Sequence, residues 1–332
     1  MEENQRITMA HGSGGSATRK LVQDLFYTYF KNDALNKMED AAVLDVPAGK
    51  IAYTTDSFVV TPIIFPGGDI GKLSVCGTLN DLVVMGAVPK YLTAGFIIEE
   101  GLEMNVLEEV VKSMALTAKE AGVGIVAGDT KVIEGHGGIY INTSGIGFIN
   151  QKPLHTSNVK PGDAVIVSGA LGNHHACILS HRMNIKNTII SDCAYLGDMV
   201  QNLIKEGIEI KTMRDVTRGG LATVLNEIAD GSDTTIDLLE ENIPVDIEVK
   251  SFCGILGLDP LYMGNEGKLV CFVAEKDAQR ALGIIRNSKF GEKASITATV
   301  SKRENAPVTV KTRIGGRRIL NVLQGEGLPR IC

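Results

Sequence analysis

No run of about 18 apolar residues occurs in the 332-residue chain, so no membrane-spanning helix is expected. The first residues, Met1-Glu2-Glu3-Asn4, are acidic and polar and lack the apolar core of a signal peptide. Excess positive charge is missing too. A net charge of −6 gives no electrostatic footprint for nucleic acid or for an anionic membrane surface. The basic residues Arg313, Arg317 and Arg318 read as a solvated strand face. None of the six cysteines forms a CxxC pair, which argues against a zinc or redox site. Together these absences place the chain in the cytoplasm, where its cysteines stay thiols. Cys76, Cys177, Cys193, Cys253 and Cys271 sit among apolar neighbours and read as small core residues, whereas Cys332 is the final residue.

What is present suits a globular protein. Apolar content is 44% and charged content 22%, enough to bury a full core. The length suggests two domains at roughly 100–200 residues each. Apolar spacing predicts helices over 18–30, 70–86, 104–121, 174–181, 193–205, 221–229 and 276–287. Strands are expected over 42–45, 51–60, 91–98, 124–127, 139–148, 164–168, 269–274 and 294–300. Segments 308–313 and 317–320 flank Ile314-Gly315-Gly316 as a hairpin. Strands and helices mix in both halves, so the class is α/β or mixed α+β. The stretch 150–162 has no apolar period and marks a boundary between domains 1–150 and 151–322. Residues 323–332 carry two glycines and a proline and are expected to form a mobile tail.

Four acidic motifs lie in the first half: Glu39-Asp40, Thr54-Thr55-Asp56-Ser57, Asn80-Asp81-Leu82 and Gly128-Asp129-Thr130. Carboxylates gathered in one cleft repel one another unless cations bind between them, and Mg²⁺ carrying nucleotide phosphates is the natural partner. Each aspartate could instead cap a helix or make a turn. The glycines Gly12, Gly14 and Gly15 could fold over phosphates, or simply belong to a loose terminus. Pro66 to Leu73 looks like a P-loop but lacks its first glycine and the Ser or Thr after Lys72. Arg214-Asp215-Val216-Thr217-Arg218-Gly219-Gly220 runs into an amphipathic helix, whose start is either an anion site or a plain cap. The loop from Ser168 to Asn173 is a second candidate of that kind. His174 and His175 are adjacent on a helix and point different ways, so a metal site there is not expected. A thiol at the very end of the chain, on a span of about eight residues that extends roughly 25–30 Å, could visit two places.

Taken together, the motifs at 39–44, 54–60, 65–73, 76–82, 85–87, 128–131, 214–221 and 265–267, with the closing Pro329-Arg330-Ile331-Cys332, resemble the HypE family of hydrogenase maturation factors. The resemblance covers essentially the whole chain. Its acidic and glycine motifs are shared with the wider superfamily of aminoimidazole ribonucleotide synthetase and selenophosphate synthetase.

The resemblance implies a two-domain PurM-like fold whose N-terminal domains pair into a barrel across a homodimer. It implies an ATP- and Mg²⁺-using carbamoyl dehydratase. The terminal Cys332 would receive a carbamoyl group from the carbamoyltransferase HypF. Dehydration to a thiocyanate would follow, and the cyano group would pass to iron on the HypC–HypD complex. By the same resemblance, Asp40, Asp56, Asp81 and Asp129 would hold Mg²⁺ and phosphates. Asp215, Gly219 and Gly220 would complete the phosphate environment, and Gly12, Gly14 and Gly15 would close over the nucleotide. Glu266 would be the base and Lys131 would orient the carboxamide, although both could equally form surface ion pairs. The chain departs from the family in having Gly172-Asn173-His174-His175 for Gly-Asp-His-Gly, and Val216 for proline. Two rivals are a selenophosphate-synthetase-like kinase of a free small molecule and a thiol carrier without catalysis. Against the first, the earliest cysteine is Cys76, inside a predicted helix.

Overall fold

A computed structural model describes residues 6–37, 41–152 and 154–322. Asp40, Cys332 and the tail 323–332, for which the sequence sets expectations, lie outside the described residues. The chain opens with a helical run, α1 (Ser16–Leu21), a π turn (Val22–Phe26) and α2 (Tyr27–Phe30). Four strands follow: β1 (Lys50–Phe58), β4 (Val88–Glu99), β5 (Gly124–Ile133) and β6 (Ile139–Ile149). They form one sheet in the order β1-β6-β4-β5, antiparallel except for β4 and β5. The helices α3 (Ile70–Val84) and α4 (Met104–Glu120) belong to this half. A two-residue ribbon, β2 (Ile64–Phe65) with β3 (Gly68–Asp69), leads into α3.

The second half builds a seven-stranded sheet. Its strands are β7 (Ala164–Val167), β8 (Ile210–Asp215), β9 (Thr234–Leu239), β10 (Leu269–Val273), β11 (Ser295–Lys302), β12 (Val308–Lys311) and β13 (Arg317–Ile319). Their spatial order is β13-β12-β9-β11-β7-β10-β8. The helices are α5 (Asn173–Arg182), α6 (Gly197–Lys205), α7 (Gly220–Ser232), α8 (Ile247–Leu256) and α9 (Ala278–Asn287). Strand β7 shows why its sequence, Ala-Val-Ile-Val, has no polar alternation: both faces are covered. Val165 and Val167 pack with Leu221, Leu225 and Ile228 of α7, while Ala164 and Ile166 face Leu203 of α6 and Ile285 of α9.

Helix α3 ties the halves together. None of its fifteen residues is exposed. Ile70, Leu73, Leu79 and Leu82 lie in the core under the four-stranded sheet, whereas Val83 and Val84 belong to a core shared with α6, α9 and the seven-stranded sheet. Asn80 adds a polar tie: its amide donates to the Ala194 carbonyl at 2.9 Å and its oxygen accepts from Leu196 N–H. Those bonds hold 194–196 out of helical form, so α6 starts at Gly197 rather than at Cys193 as the spacing predicts.

Other expectations shift as well. Segment 42–45 is irregular, with Val43 and Asp45 exposed and Ala42 and Leu44 partly covered, and is not a strand. Strand β5 runs six residues past its predicted end at Ala127 and carries Asp129 and Lys131 within it. The hairpin at Ile314-Gly315-Gly316 forms as expected, with β12 antiparallel to β13. The five described cysteines are buried free thiols. Among the described residues, no helix is long and apolar enough to cross a membrane.

Buried His174 gives the fold a pH sensitivity. Its Nδ1 meets Ser191 Oγ at 2.8 Å, its Nε2 has no partner, and its ring stands edge-on to Phe65. Burial pushes its pKa down to about 4, with Asp192 opposing and His175 assisting. A depressed value means that the unfolded chain binds the proton more readily. The contribution is therefore complete above about pH 6.5 and lost as pH falls through about 4. Denaturant melts at pH 7 and pH 4 are expected to differ by roughly 3 kcal/mol from this residue. In His174→Leu that part of the pH dependence should vanish; an unchanged difference counts against the assignment.

Candidate active site

Thr78 and Asp81 of α3 face strand β1. Thr78 Oγ1 donates to Asp56 Oδ2 at 2.8 Å, and Thr54 Oγ1 donates to Asp81 Oδ2 at 3.0 Å. Thr78 is itself 2.6 Å from Thr143 Oγ1 on β6. A third carboxylate arrives from the other sheet: Asp215 ends β8, which packs beside α3. Burial raises the pKa of Asp81 to about 7, reinforced by the charges of Asp215 and Asp56 and opposed by the Thr54 hydrogen bond and Arg214. Burial also raises Asp215, against Arg214 and the Thr217 hydroxyl. Glu266 stands next in this row. Its pKa is pushed well above the usual carboxylate range by burial, then by Asp215, Asp192 and Cys76, with Arg218 opposing. Asp56, Asp81, Asp215 and Glu266 thus form one acidic line between the two sheets.

The end of that line meets a helix start. Gly219 and Gly220 have φ of +78° and +62°, and no side chain caps α7. A Cβ on Gly220 would lie 2.5 Å from the Leu261 carbonyl oxygen, so only glycine allows this approach. The uncapped N–H groups at the positive end of α7 suit an anion. The other two candidate loops are already filled. Asp69 caps α3 through Gly71 and Lys72 N–H, which closes the P-loop look-alike with the chain's own carboxylate. At α5, Gly172 N–H donates to Asn265 Oδ1 at 2.7 Å and His175 N–H to the Gly264 carbonyl.

Asp129 and Lys131 are not brought to the acidic line within one chain. Both are on edge strand β5, and Lys131 Nζ binds both Asp129 oxygens at 2.8 Å in an exposed pair. Three strand spacings, roughly 14 Å, separate β5 from β1. Asp129 also stands in the row of Gly95, Asn142 and Ser57, one residue out of step with the row that holds Asp56 and Thr143. The glycine loop accompanies β5: a Cβ on Gly12 would touch Val132, and Gly14 N–H donates to Thr18. Gly15 leads into α1.

Among the described residues, no three acidic, His or Cys side chains are placed to hold a bare metal ion. The acidic line still fits Mg²⁺, which takes one or two carboxylates and completes its shell with water and phosphate oxygens. Burial is the main cause of the raised proton affinities at Asp81 and Asp215, and neighbouring carboxylates add to it, so a cation bound among them would offset both effects. Sequence reasoning missed Thr54, Thr78 and Arg218 as parts of the site. Thr54 could have been found from its spacing, since residues two apart on a strand share a face with Asp56.

The sequence matches two family models, AIR synthase related protein, N-terminal domain, over residues 38–149, and the corresponding C-terminal domain over 160–311. It is 45% identical over 338 residues to the carbamoyl dehydratase HypE of Rhodobacter capsulatus, covering 99% of both chains. The fold superposes with a TM-score of 0.94 on a crystal structure of hydrogenase maturation protein HypE in complex with ATP, at 45% identity, covering 98% of this chain and 99% of that one. A HypE chain from a HypE–HypF complex superposes with a TM-score of 0.80 at 45% identity, covering 91% and 99%. On full-length identity of this order, joined to the shared two-sheet architecture, the chain belongs to the HypE family of carbamoyl dehydratases within the AIR synthase related proteins.

Proposed function

We propose that the protein uses ATP to dehydrate a carbamoyl group carried on Cys332, turning an S-carboxamide into an S-thiocyanate for hydrogenase maturation. The observation that carries this reading is the acidic line Asp56–Asp81–Asp215–Glu266, which ends at the uncapped start of α7. The reading is also supported by where the described chain ends. Tyr262 OH donates to the Asn321 carbonyl at 2.9 Å, four residues before Glu266. Ten residues, 323–332, follow Val322, and a fully extended span of that length covers at most about 33–36 Å.

The chemistry divides among the side chains as follows. The carboxamide oxygen is a poor leaving group; transfer of the γ-phosphoryl group of ATP to it, with ADP released and one of the two nitrogen protons lost, lets it depart as phosphate. Phosphoryl transfer needs positioning and charge neutralisation above all. Mg²⁺, held by Asp56 and Asp81 with Asp40, would neutralise phosphate charge. The N–H groups after Gly219 and Gly220 receive phosphate oxygens. Glu266, with its raised proton affinity, takes a proton from the carboxamide nitrogen as the C≡N bond forms and the C–O bond breaks.

Asp129, Lys131 and the Gly12–Gly15 loop enter from a second copy in this reading. β1 and β5 are the two edges of the four-stranded sheet. Edge-to-edge pairing of two chains would set β5 of one beside β1 of the other and leave no open edge. The domains then correspond to 1–150 and 151–322, with 323–332 as the arm. HypF would donate the carbamoyl group, and HypC–HypD would accept the cyano group on its iron.

The test is mass spectrometry of the C-terminal peptide after incubation with HypF, carbamoyl phosphate and ATP. Cys332 is expected to gain a carboxamide and then to lose one water. An adduct on any other cysteine overturns the assignment.

A further inference from the structure

Two oppositely charged side chains lie buried beside Glu266, and the mechanism above does not use them. Asp192 and Lys268 have side chains only 6% and 9% exposed, with Lys268 Nζ 3.3 Å from Asp192 Oδ2. Burying such a pair is costly, and buried pairs are weak sources of stability. The contacts show where this one acts. Asp192 Oδ1 accepts from the backbone N–H of Glu266 at 3.2 Å, and Ala194 N–H donates to the Glu266 carbonyl at 3.2 Å. Lys268 Nζ donates to the Gly267 carbonyl at 2.9 Å. A Cβ on Gly267 would fall 1.9 Å from the Asp192 carbonyl oxygen, so glycine is required for the two segments to meet. Buried Asp192 Oδ2 faces the Lys268 ammonium and makes no hydrogen bond to Glu266 or any other described residue. It therefore acts through its field.

We propose that Asp192 and Lys268 form a buried clamp that fixes the backbone of Glu266 and sets the electric field at its carboxylate, making both positioning residues for proton removal. This rests on the reading of Glu266 as the base. The other groups that face Glu266 are Asp215 at the end of β8, Cys76 on α3, Cys193 before α6 and Arg218 before α7. Asp192 is one of three acidic or thiol neighbours that raise its proton affinity, and the one seated on its own backbone.

The experiment is a pH profile of single-turnover dehydration on protein already carbamoylated at Cys332, at saturating ATP. Asp192→Asn keeps the hydrogen-bond acceptor and removes the charge. Its acid limb is expected to move to lower pH by about one unit, the scale of one neighbouring charge. The KM for ATP should stay unchanged. An unmoved limb overturns the proposal. Should Asp192→Asn fail to fold, Lys268→Met leaves the Asp192 charge unbalanced and should move the limb to higher pH; an unmoved limb there overturns it equally. Glu266→Gln separates the two readings. If that variant dehydrates normally, Glu266 is not the base and the clamp falls with it. If it is inactive while the Asp192→Asn limb stays put, only the clamp falls.

Discussion

Deleting Cys332 is expected to reduce cyanide-bearing product to background while leaving ATP binding intact. The five described thiols are buried; burial pushes Cys177, Cys253 and Cys271, and the Cys76 thiol together with burial pushes Cys193, away from the reactive thiolate form. None of them can substitute for an accessible sulfur. The acidic line and the start of α7, by contrast, are built from residues 54–266 and do not depend on the chain end. Equilibrium binding of ATP with and without the final residue, beside cyanide detection on the acceptor, checks both halves of the claim. Cys332→Ser should behave like the deletion, because a hydroxyl without an activating base is a weak nucleophile. Product from either variant would exclude the terminal sulfur. Loss of ATP binding would instead mean that the chain end helps to build the nucleotide site.

The second large effect follows from the proposed sharing of each site between two copies. Asp56→Asn and Asp129→Asn homodimers are each expected to lose turnover by about a hundredfold or more, the usual cost of losing charge stabilisation in the transition state. Mixing the two variants, unfolded and refolded together, should restore activity. In a mixed dimer one site carries both substitutions and the other carries neither. Random pairing of equal amounts then gives about a quarter of the wild-type rate. If both aspartates served a site within one chain, no mixture could recover. The prediction follows from β1 and β5 being opposite edges of one sheet, with the Asp129–Lys131 pair left on the far side of Asp56.

Much of the frame could be read before the coordinates. Periodicity marks α4 and β6 nearly to their ends and β4 to within three residues, α3 stands out instead as a long apolar stretch closed by Gly86 and Pro89, and the apolar runs of β7 and β10 announce strands covered on both faces. Weak patterns misled. Strand β8 reads Ile-Lys-Thr-Met-Arg-Asp and sits at a sheet edge, where four of its six residues are only partly covered, so no run betrays it. Segment 42–45 has the composition of a strand but pairs with no strand among the described residues. The site was legible by type and not by arrangement. Acidic motifs pointed to Asp56 and Asp81, and the glycines to the start of α7. They could not tell that Asp129 lies three strands away, because strand order is a long-range property. Nor does any local pattern join Asp192 to Glu266, which are 74 positions apart and meet only through folding.

The absence of a solvent side on α3 has a consequence for mutational tolerance. An ordinary surface helix accepts change every third or fourth position, and a saturation scan shows that rhythm. Across Ile70–Val84 the rhythm should be missing, since each turn faces a core, a polar partner or the other sheet. For the same reason a shift of one half against the other would have to break α3 out of one of two cores, since Ile70 to Leu82 pack in the first and Val83 and Val84 in the second.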